Sequence, residues 1–417
     1  MKYSAPRGTS DILPEEAGLW QFVEATCREV FQLYNFSEIR TPLFEATDLF
    51  TRSIGDSTDI VKKEMYTFPD RKGRSLTLRP EETAPVVRAG IENNLITPDQ
   101  MTKLYYLGPM FRYERPQAGR QRQFHQAGVE AFGSQDPALD AEAIEMSVKL
   151  FEKLGLKDLE VDINSVGDNT CRPNYLNAIR QYFAENVKHM CEDCKERFTL
   201  NPMRILDCKE PPCQKYIEKA PAAVDYLCEE CKKHFEAVVG WLGRLGIRHK
   251  INDRLVRGLD YYTKTAFEVI SKQLGASRLV GTVCGGGRYD RLVEELGGKP
   301  TPAIGFAVGL ERVIEILKNQ SSSRYALPVT LFLAILGDKA KEFGFKLLAD
   351  VRAHGISADM DYQGKSLKAQ MKTADRIKAK YVYIIGEDEI AKQSAVLKNM
   401  QTAEQKEIAF NALWGAL

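Results

Sequence analysis

The chain has 417 residues, with 58 lysines and arginines against 57 aspartates and glutamates and a formal charge of +1. That balance excludes a global pull toward nucleic acid, so any RNA contact must come from local patches. The longest apolar run, VTLFLAIL near the C-terminus, is too short to span a bilayer, and the amino-terminal MKYSAPRGTSDILPEE lacks the apolar stretch of a leader. These features predict a soluble cytoplasmic protein of two or three domains. Nine cysteines, an odd number in a chain of this size, argue for reduced or metal-bound thiols and against a disulfide framework.

Apolar positions at helical spacing, Leu19, Phe22, Val23, Val30 and Phe31, predict a helix over 15–35, and a short strand ending at Pro42 follows. Alternation in SLTL predicts a strand that Arg79 and Pro80 end. Thr83, Ala84 and Pro85 then read as a helix start. Glu81 and Thr83 thus fall on a strand-to-helix loop, where they either cap the helix or reach a ligand.

The stretch Phe111 to Glu130, FRYERPQAGRQRQFHQAGVE, reads as two strands joined by an arginine-rich turn. Residues two apart share a strand face, so Phe124, Gln126, Gly128 and Glu130 line up, as do Arg112 and Glu114 on the incoming strand. A face this polar, where a core should be apolar, must meet an ion-pair network or a polar ligand. Gly128 leaves room for something to lie against the sheet. Arg112, Arg115, Arg120 and Arg122 suit phosphate oxygens, which a guanidinium grips in two-pronged fashion.

An amphipathic helix (DPALDAEAIEMSVKLFEKLG) and a strand (LEVDINS) follow. From 171 to 248 the composition turns helical and lysine-rich and holds seven of the nine cysteines, which reads as an inserted domain. Within it, Cys191 and Cys194 together with Cys228 and Cys231 predict one tetrahedral zinc site, with Cys208 and Cys213 as alternative ligands. LVRGLDYYTKTAFEVI returns to strand character and brings Arg257, Asp260, Tyr261 and Tyr262 together beside Gly258. The triple glycine 285–287 fits no dinucleotide or P-loop pattern; it predicts close approach of a flat base to the backbone. Residues 305–318 have helical period, with Arg312 upon them. KNQSSSR, residues 318–324, reads as a linker to an α/β domain with a mostly parallel sheet. There Lys365, Lys368, Lys372, Arg376, Lys378 and Lys380 crowd one helix and its flanks, either as a solvated face or as an RNA contact.

RYERPQAGRQRQFHQ followed by GVE resembles the second signature motif of class II aminoacyl-tRNA synthetases, in the form of the histidyl-tRNA synthetase family. The resemblance extends over essentially the whole chain. The first helix and strand with Pro42 resemble the first motif, GLER the third, and RGLDYY a segment peculiar to the histidine enzymes. An α+β fold is implied: an antiparallel-sheet catalytic domain over 1–323, interrupted by the helical insertion 171–248, and an α/β anticodon-binding domain over 324–417.

The implied activity is ATP-dependent, Mg²⁺-assisted ligation of L-histidine to tRNA(His) through a histidyl-adenylate, in a homodimer built on the first motif. Carried over residue by residue, Arg112 and Arg257 flank the α-phosphate. Arg120 and Arg312 take the outer phosphates, Phe124 stacks on adenine, and Glu114 joins the ATP set. Glu81, Thr83 and Gln126 hold the substrate ammonium, and Glu130 and Tyr262 the imidazole nitrogens, with Tyr261 in support. A synthetase-like regulatory subunit of histidine biosynthesis is the rival reading. Such paralogues lack the anticodon-binding domain and lose the ATP-gripping arginines, and this sequence keeps both.

Overall fold

The structure, a computed structural model, describes residues 3–55, 58–117, 119–274, 281–321 and 329–417. The chain divides into two compact units, residues 1–324 and 325–417. In the first, helix α1 (Pro14–Leu33) starts with Pro14, carries Glu15 and Glu16 in its first turn, and buries Leu19, Trp20, Val23, Cys27, Val30 and Phe31. Strands β1 (Ser37–Glu38) and β2 (Phe44–Ala46) follow, then α2 (Thr47–Ile54), β3 (Tyr66–Pro69), β4 (Ser75–Leu78) and α3 (Thr83–Glu92). The long hairpin is β5 (Thr102–Phe111) and β6 (Gln123–Phe132). Helix α4 (Pro137–Leu154) is capped by Asp136, which accepts from Ala138 N at 2.8 Å, and is ended by left-handed Gly155.

After β7 (Leu159–Ser165) come helices α5 (Arg172–Ala184), α6 (Glu192–Leu200), α7 (Pro211–Ile217) and α8 (Glu229–Arg244). The chain then returns as β8 (His249–Ile251), parallel to β7. Strands β9 (Thr263–Ser271), β10 (Thr282–Arg288) and β11 (Ala303–Gly309) complete an eight-stranded sheet of order β1-β5-β6-β11-β10-β9-β7-β8. Only its outermost pairs, β1 with β5 and β7 with β8, are parallel. The α5–α8 segment leaves from β7 and returns as the edge strand β8 beside it. Its Tyr175, Ile179, Phe183, Met203 and Ile205 nevertheless join the same apolar cluster as Val86, Tyr106 and Met110.

The second unit holds β12 (Leu331–Ile335), β13 (Ala358–Met360), β14 (Tyr381–Ile385), β15 (Ser394–Asn399) and β16 (Gln405–Ala409), in the order β13-β12-β14-β15-β16. Helices Asp338–Ala353 and Leu367–Arg376 make the crossovers between its parallel strands. No described helix is long and apolar enough to cross a membrane.

Several boundaries differ from the sequence reading. Residues 303–309 form a central strand, and the helix begins only at Leu310. Ile304, Phe306 and Val308 alternate with the small Gly305, Ala307 and Gly309, a period of two that the longer helical period of the following residues obscures. Arg257 to Tyr262 form a loop before β9, which starts at Thr263. Arg112 and Glu114 lie just past the end of β5. The second sheet is half antiparallel, since β14–β15 and β15–β16 run antiparallel. Of the predicted linker, residues 318–321 continue the helix Leu310–Ser321, and 322–324 lie outside the described residues.

Candidate active site

Strand β6 sits between β5 and β11, and its polar residues face a cavity over the sheet. Gly305, Ala307 and Gly309 of β11 pair with Glu130, Gly128 and Gln126, so the floor is made of small residues. All twelve residues singled out for the substrates line this one cavity: Glu81, Thr83, Arg112, Glu114, Arg120, Phe124, Gln126, Glu130, Arg257, Tyr261, Tyr262 and Arg312. The cavity is divided by charge.

At one end the groups are acidic and hydroxylic. Glu81 accepts from Thr83 N at 2.7 Å and Ala84 N at 3.0 Å, so it caps α3 while lining the cavity. Thr83 Oγ1 donates to Glu130 Oε1 at 2.6 Å, and the Tyr289 hydroxyl donates to Glu130 Oε2. Glu130 is only 1% exposed. Burial, reinforced by the charges of Glu81 and Glu82, pushes its carboxyl up to about 8 despite those two donors. Glu82, behind this end, is likewise raised to about 8 by burial, against the pull of Arg79 at 2.7 Å. The Tyr261 and Tyr262 rings lie 4.8 Å apart beside these groups. Gln126 Oε1 is shielded from solvent without a hydrogen-bond partner among the described residues, so this end offers an acceptor to an incoming cation.

At the other end four guanidinium groups gather. Arg112 donates from Nε to Pro80 O at 2.8 Å and lies 5.3 Å from the Phe124 ring centroid. Arg120 lies 3.4 Å from Glu114. Arg312 donates to Thr282 O, and its pKa is lowered by burial and then by the charge of Arg120, with Arg112 adding to the repulsion. Burial also opposes the charge on Arg257, but Glu268, paired with it, reverses that effect and holds the guanidinium above its ordinary value. Its Nε has no described partner. Mutually repelling, partly desolvated cations of this kind are stabilised by a polyanion.

The glycines seat protein groups. A Cβ at Gly285 would fall on the Arg257 guanidinium and one at Gly305 on the Glu130 carboxylate, so each glycine lets a charged side chain lie on the sheet. Space at Gly286 is taken by Phe306 and at Gly287 by the Tyr262 ring. The expectation that 285–287 receive a flat base is corrected accordingly. The room beside Gly128 is filled by the ring of Tyr106, its cross-strand partner, and not by a ligand.

Sequence reading missed Tyr106, Tyr289 and Glu311. A glycine paired with an aromatic across two strands was the available signal for Tyr106. Glu311 accepts from His125 N at 2.8 Å and meets His125 Nδ1 at 2.9 Å, tying the hairpin to the start of the helix that carries Arg312. No local pattern announces that contact, which spans 186 positions.

The predicted single zinc site is also corrected. Cys191 and Cys194 group with Cys208 and Cys213, whereas Cys228 and Cys231 group with Asp168 and Cys171. The two pairs start different helices: the first meets cysteines that follow it within the helical segment, whereas the second meets residues just past the exit of β7.

A family model described as Histidyl-tRNA synthetase matches residues 8–167 and 209–313, and one described as Anticodon binding domain matches 330–417. The antiparallel-rich sheet with its charge-divided cavity is the α+β catalytic fold of a class II aminoacyl-tRNA synthetase. A relative from Halothermothrix orenii, named "Histidine--tRNA ligase", is 52% identical over 412 residues, covering 98% of this chain and 97% of the relative. One of the same name from Caldanaerobacter subterraneus subsp. tengcongensis is 49% identical over 419 residues, covering 100% of both. The crystal structure of apo S. aureus histidyl-tRNA synthetase superposes with a TM-score of 0.84 at 41% identity, covering 99% of each chain. The chain belongs to the histidyl-tRNA synthetase family.

Proposed function

We propose that this chain joins L-histidine to tRNA(His), using ATP and Mg²⁺ and passing through a histidyl-adenylate. The observation that carries this reading is the division of one cavity into a carboxylate-and-hydroxyl end and a four-guanidinium end. The first suits an ammonium and an imidazole; the second suits a triphosphate. The two substrates then meet where Arg112 and Arg257 line the cavity.

The histidine carboxylate is already ionised at neutral pH, with a pKa of ~3.5, so the reaction calls for no strong base. One carboxylate oxygen bonds to the α-phosphorus as the bond to the β-phosphate's bridging oxygen breaks, and diphosphate leaves with that electron pair. Arg112 and Arg257 balance the charge that develops on the α-phosphate oxygens, and Arg120 and Arg312 hold the outer phosphates. A ribose hydroxyl at the 3′ end of tRNA then attacks the activated carbonyl and AMP departs.

Phe124 stacks on the base. Glu81, Thr83 and Gln126 receive the ammonium, and Glu130 and Tyr262, supported by Tyr261, bond the ring nitrogens. Glu114 fits the Mg²⁺ that neutralises phosphate charge: it lies by Glu64, whose carboxyl is raised by burial and by the Glu114 charge, and a divalent cation relieves such a pair.

A binding-only regulatory paralogue would need neither the four arginines nor the C-terminal unit. Six exposed cations on and around the helix Leu367–Arg376 (Lys365, Lys368, Lys372, Arg376, Lys378 and Lys380) fit contact with the tRNA anticodon arm. The exposed Leu43, Phe44 and Phe68, around the first motif, fit burial in a homodimer. Nine free cysteines fit a reducing cytoplasm.

The test is pyrophosphate exchange with each of the twenty amino acids. Histidine alone should support exchange; equal exchange with another amino acid, or none with histidine, rejects the proposal.

A further inference from the structure

Outside the cavity, two groups of four ligand-bearing side chains stand among the described residues. In each, one ligand atom per residue lies within 4.8 Å of all the others. We propose that the chain binds two zinc ions, one on Cys191, Cys194, Cys208 and Cys213 and one on Asp168, Cys171, Cys228 and Cys231, and that together they brace the loop 257–262.

The geometry is that of thiolates around a tetrahedral ion. With Zn–S bonds of about 2.3 Å, the tetrahedral angle separates two sulfurs by about 3.8 Å. Cys191 Sγ and Cys208 Sγ are 3.7 Å apart, far beyond a disulfide bond of about 2.05 Å. Both CxxC pairs open a helix: Cys191 stands immediately before α6 and Cys228 immediately before α8, with the second cysteine in the first turn. Backbone N–H groups donate to sulfur in both groups, Cys191 N to Cys213 Sγ at 3.3 Å and Asp168 N to Cys171 Sγ at 3.4 Å, as the outer shell of a metal–thiolate site requires. Cys194, Cys213 and Cys231 are fully buried. The histidine three residues past Cys231, His234, is occupied by Asp140 at 2.9 Å and is not a ligand.

The second group joins the exit from β7 to the start of α8 and so closes the base of the helical segment. The first group lies within that segment and fixes α6, the turn Pro202–Asp207 and α7 against one another. Residues beside these ligands hold the loop that carries Arg257 and Tyr262. Arg172, next to Cys171, donates to Tyr262 O at 2.5 Å. Arg204 donates to Gly258 O at 2.8 Å, and Asn201 donates to Asp260 Oδ1 at 3.1 Å. Metal loss therefore loosens the histidine end of the cavity. This consequence rests on the function proposed above, whereas the metal count does not.

The test is elemental analysis of the full-length protein, purified without a polyhistidine tag from zinc-supplemented cells. Wild type should carry two zinc ions per chain, Cys194→Ala and Cys231→Ala one each, and the double variant none. Less than two equivalents in wild type overturns the proposal, as does loss of the same single ion from either variant or a zinc content that neither variant changes. Cobalt substitution of the wild type covers variants that do not fold: two spectrally distinct thiolate-to-cobalt sites are expected, and one site or none overturns the assignment. In exchange assays, each one-zinc variant should raise the KM for histidine more than the KM for ATP.

Discussion

Within the five-stranded sheet, the interior strand β12, flanked by β13 and β14, is buried along its length and apolar on both faces. Leu331, Leu333 and Ile335 join one cluster with Leu348 and Tyr383, while Phe332 and Ala334 join another with Ala374 and Val382. At the centre of the eight-stranded sheet, β6 and β11 keep only one face apolar. The other carries Gln126 and Glu130, with glycines opposite each. The contrast separates two uses of a buried strand. Apolar side chains on both faces contribute directly to stability, whereas a polar face must satisfy each group internally or leave it for a ligand. Glu130 is satisfied by two hydroxyl donors, while Gln126 Oε1 and Arg257 Nε are left over.

Substitutions on the two sheets should therefore fail in different ways. Arg112→Ala or Arg257→Ala should lower histidine-dependent pyrophosphate exchange by about 10³-fold while leaving circular dichroism and the unfolding midpoint close to wild type. Near-normal exchange in both variants would refute their assignment to the α-phosphate. Phe332→Ala, on the apolar interior strand of the other sheet, should destabilise the C-terminal unit by about 3–5 kcal/mol. Denaturant unfolding should show that loss, with tRNA charging reduced but exchange retained; loss of exchange would contradict the separation.

Glu130 gives a smaller, pH-dependent effect. Its carboxyl sits at about 8 against an ordinary 4.5. Between those values the folded chain keeps a proton that the unfolded chain has lost, so this group's contribution to stability declines as the pH rises from about 4.5 to 8. Glu130→Gln removes the decline. In paired melts the variant should gain on wild type with rising pH, by up to about 1.4 kcal/mol per unit, and a flat difference would count against the raised carboxyl. Wild-type affinity for histidine should peak between about 6.5, the ordinary imidazole value, and about 8, where acid and ring share one proton without uptake or release. The smallest effect belongs to the exposed cations. Lys368→Ala and Lys372→Ala should each raise the KM for tRNA only a few-fold and reduce the salt slope of binding by about one charge, with exchange unchanged.

Residue type and local spacing were enough to reveal the polar hairpin, the arginine cluster, the loop bearing Glu81 and Thr83, the RGLDYY cluster and the boundary near residue 324. Each is a short-range pattern whose chemistry survives without knowledge of neighbours. Tertiary structure alone decided that Tyr106 and not a ligand lies on Gly128, that Gly285 seats Arg257, and that Glu311 anchors His125. It also showed that 303–309 is a strand and that the cysteines divide into two groups. Those outcomes depend on which distant segments the sheet register and helix packing bring within a few ångströms, and periodicity along a single chain carries no term for that distance.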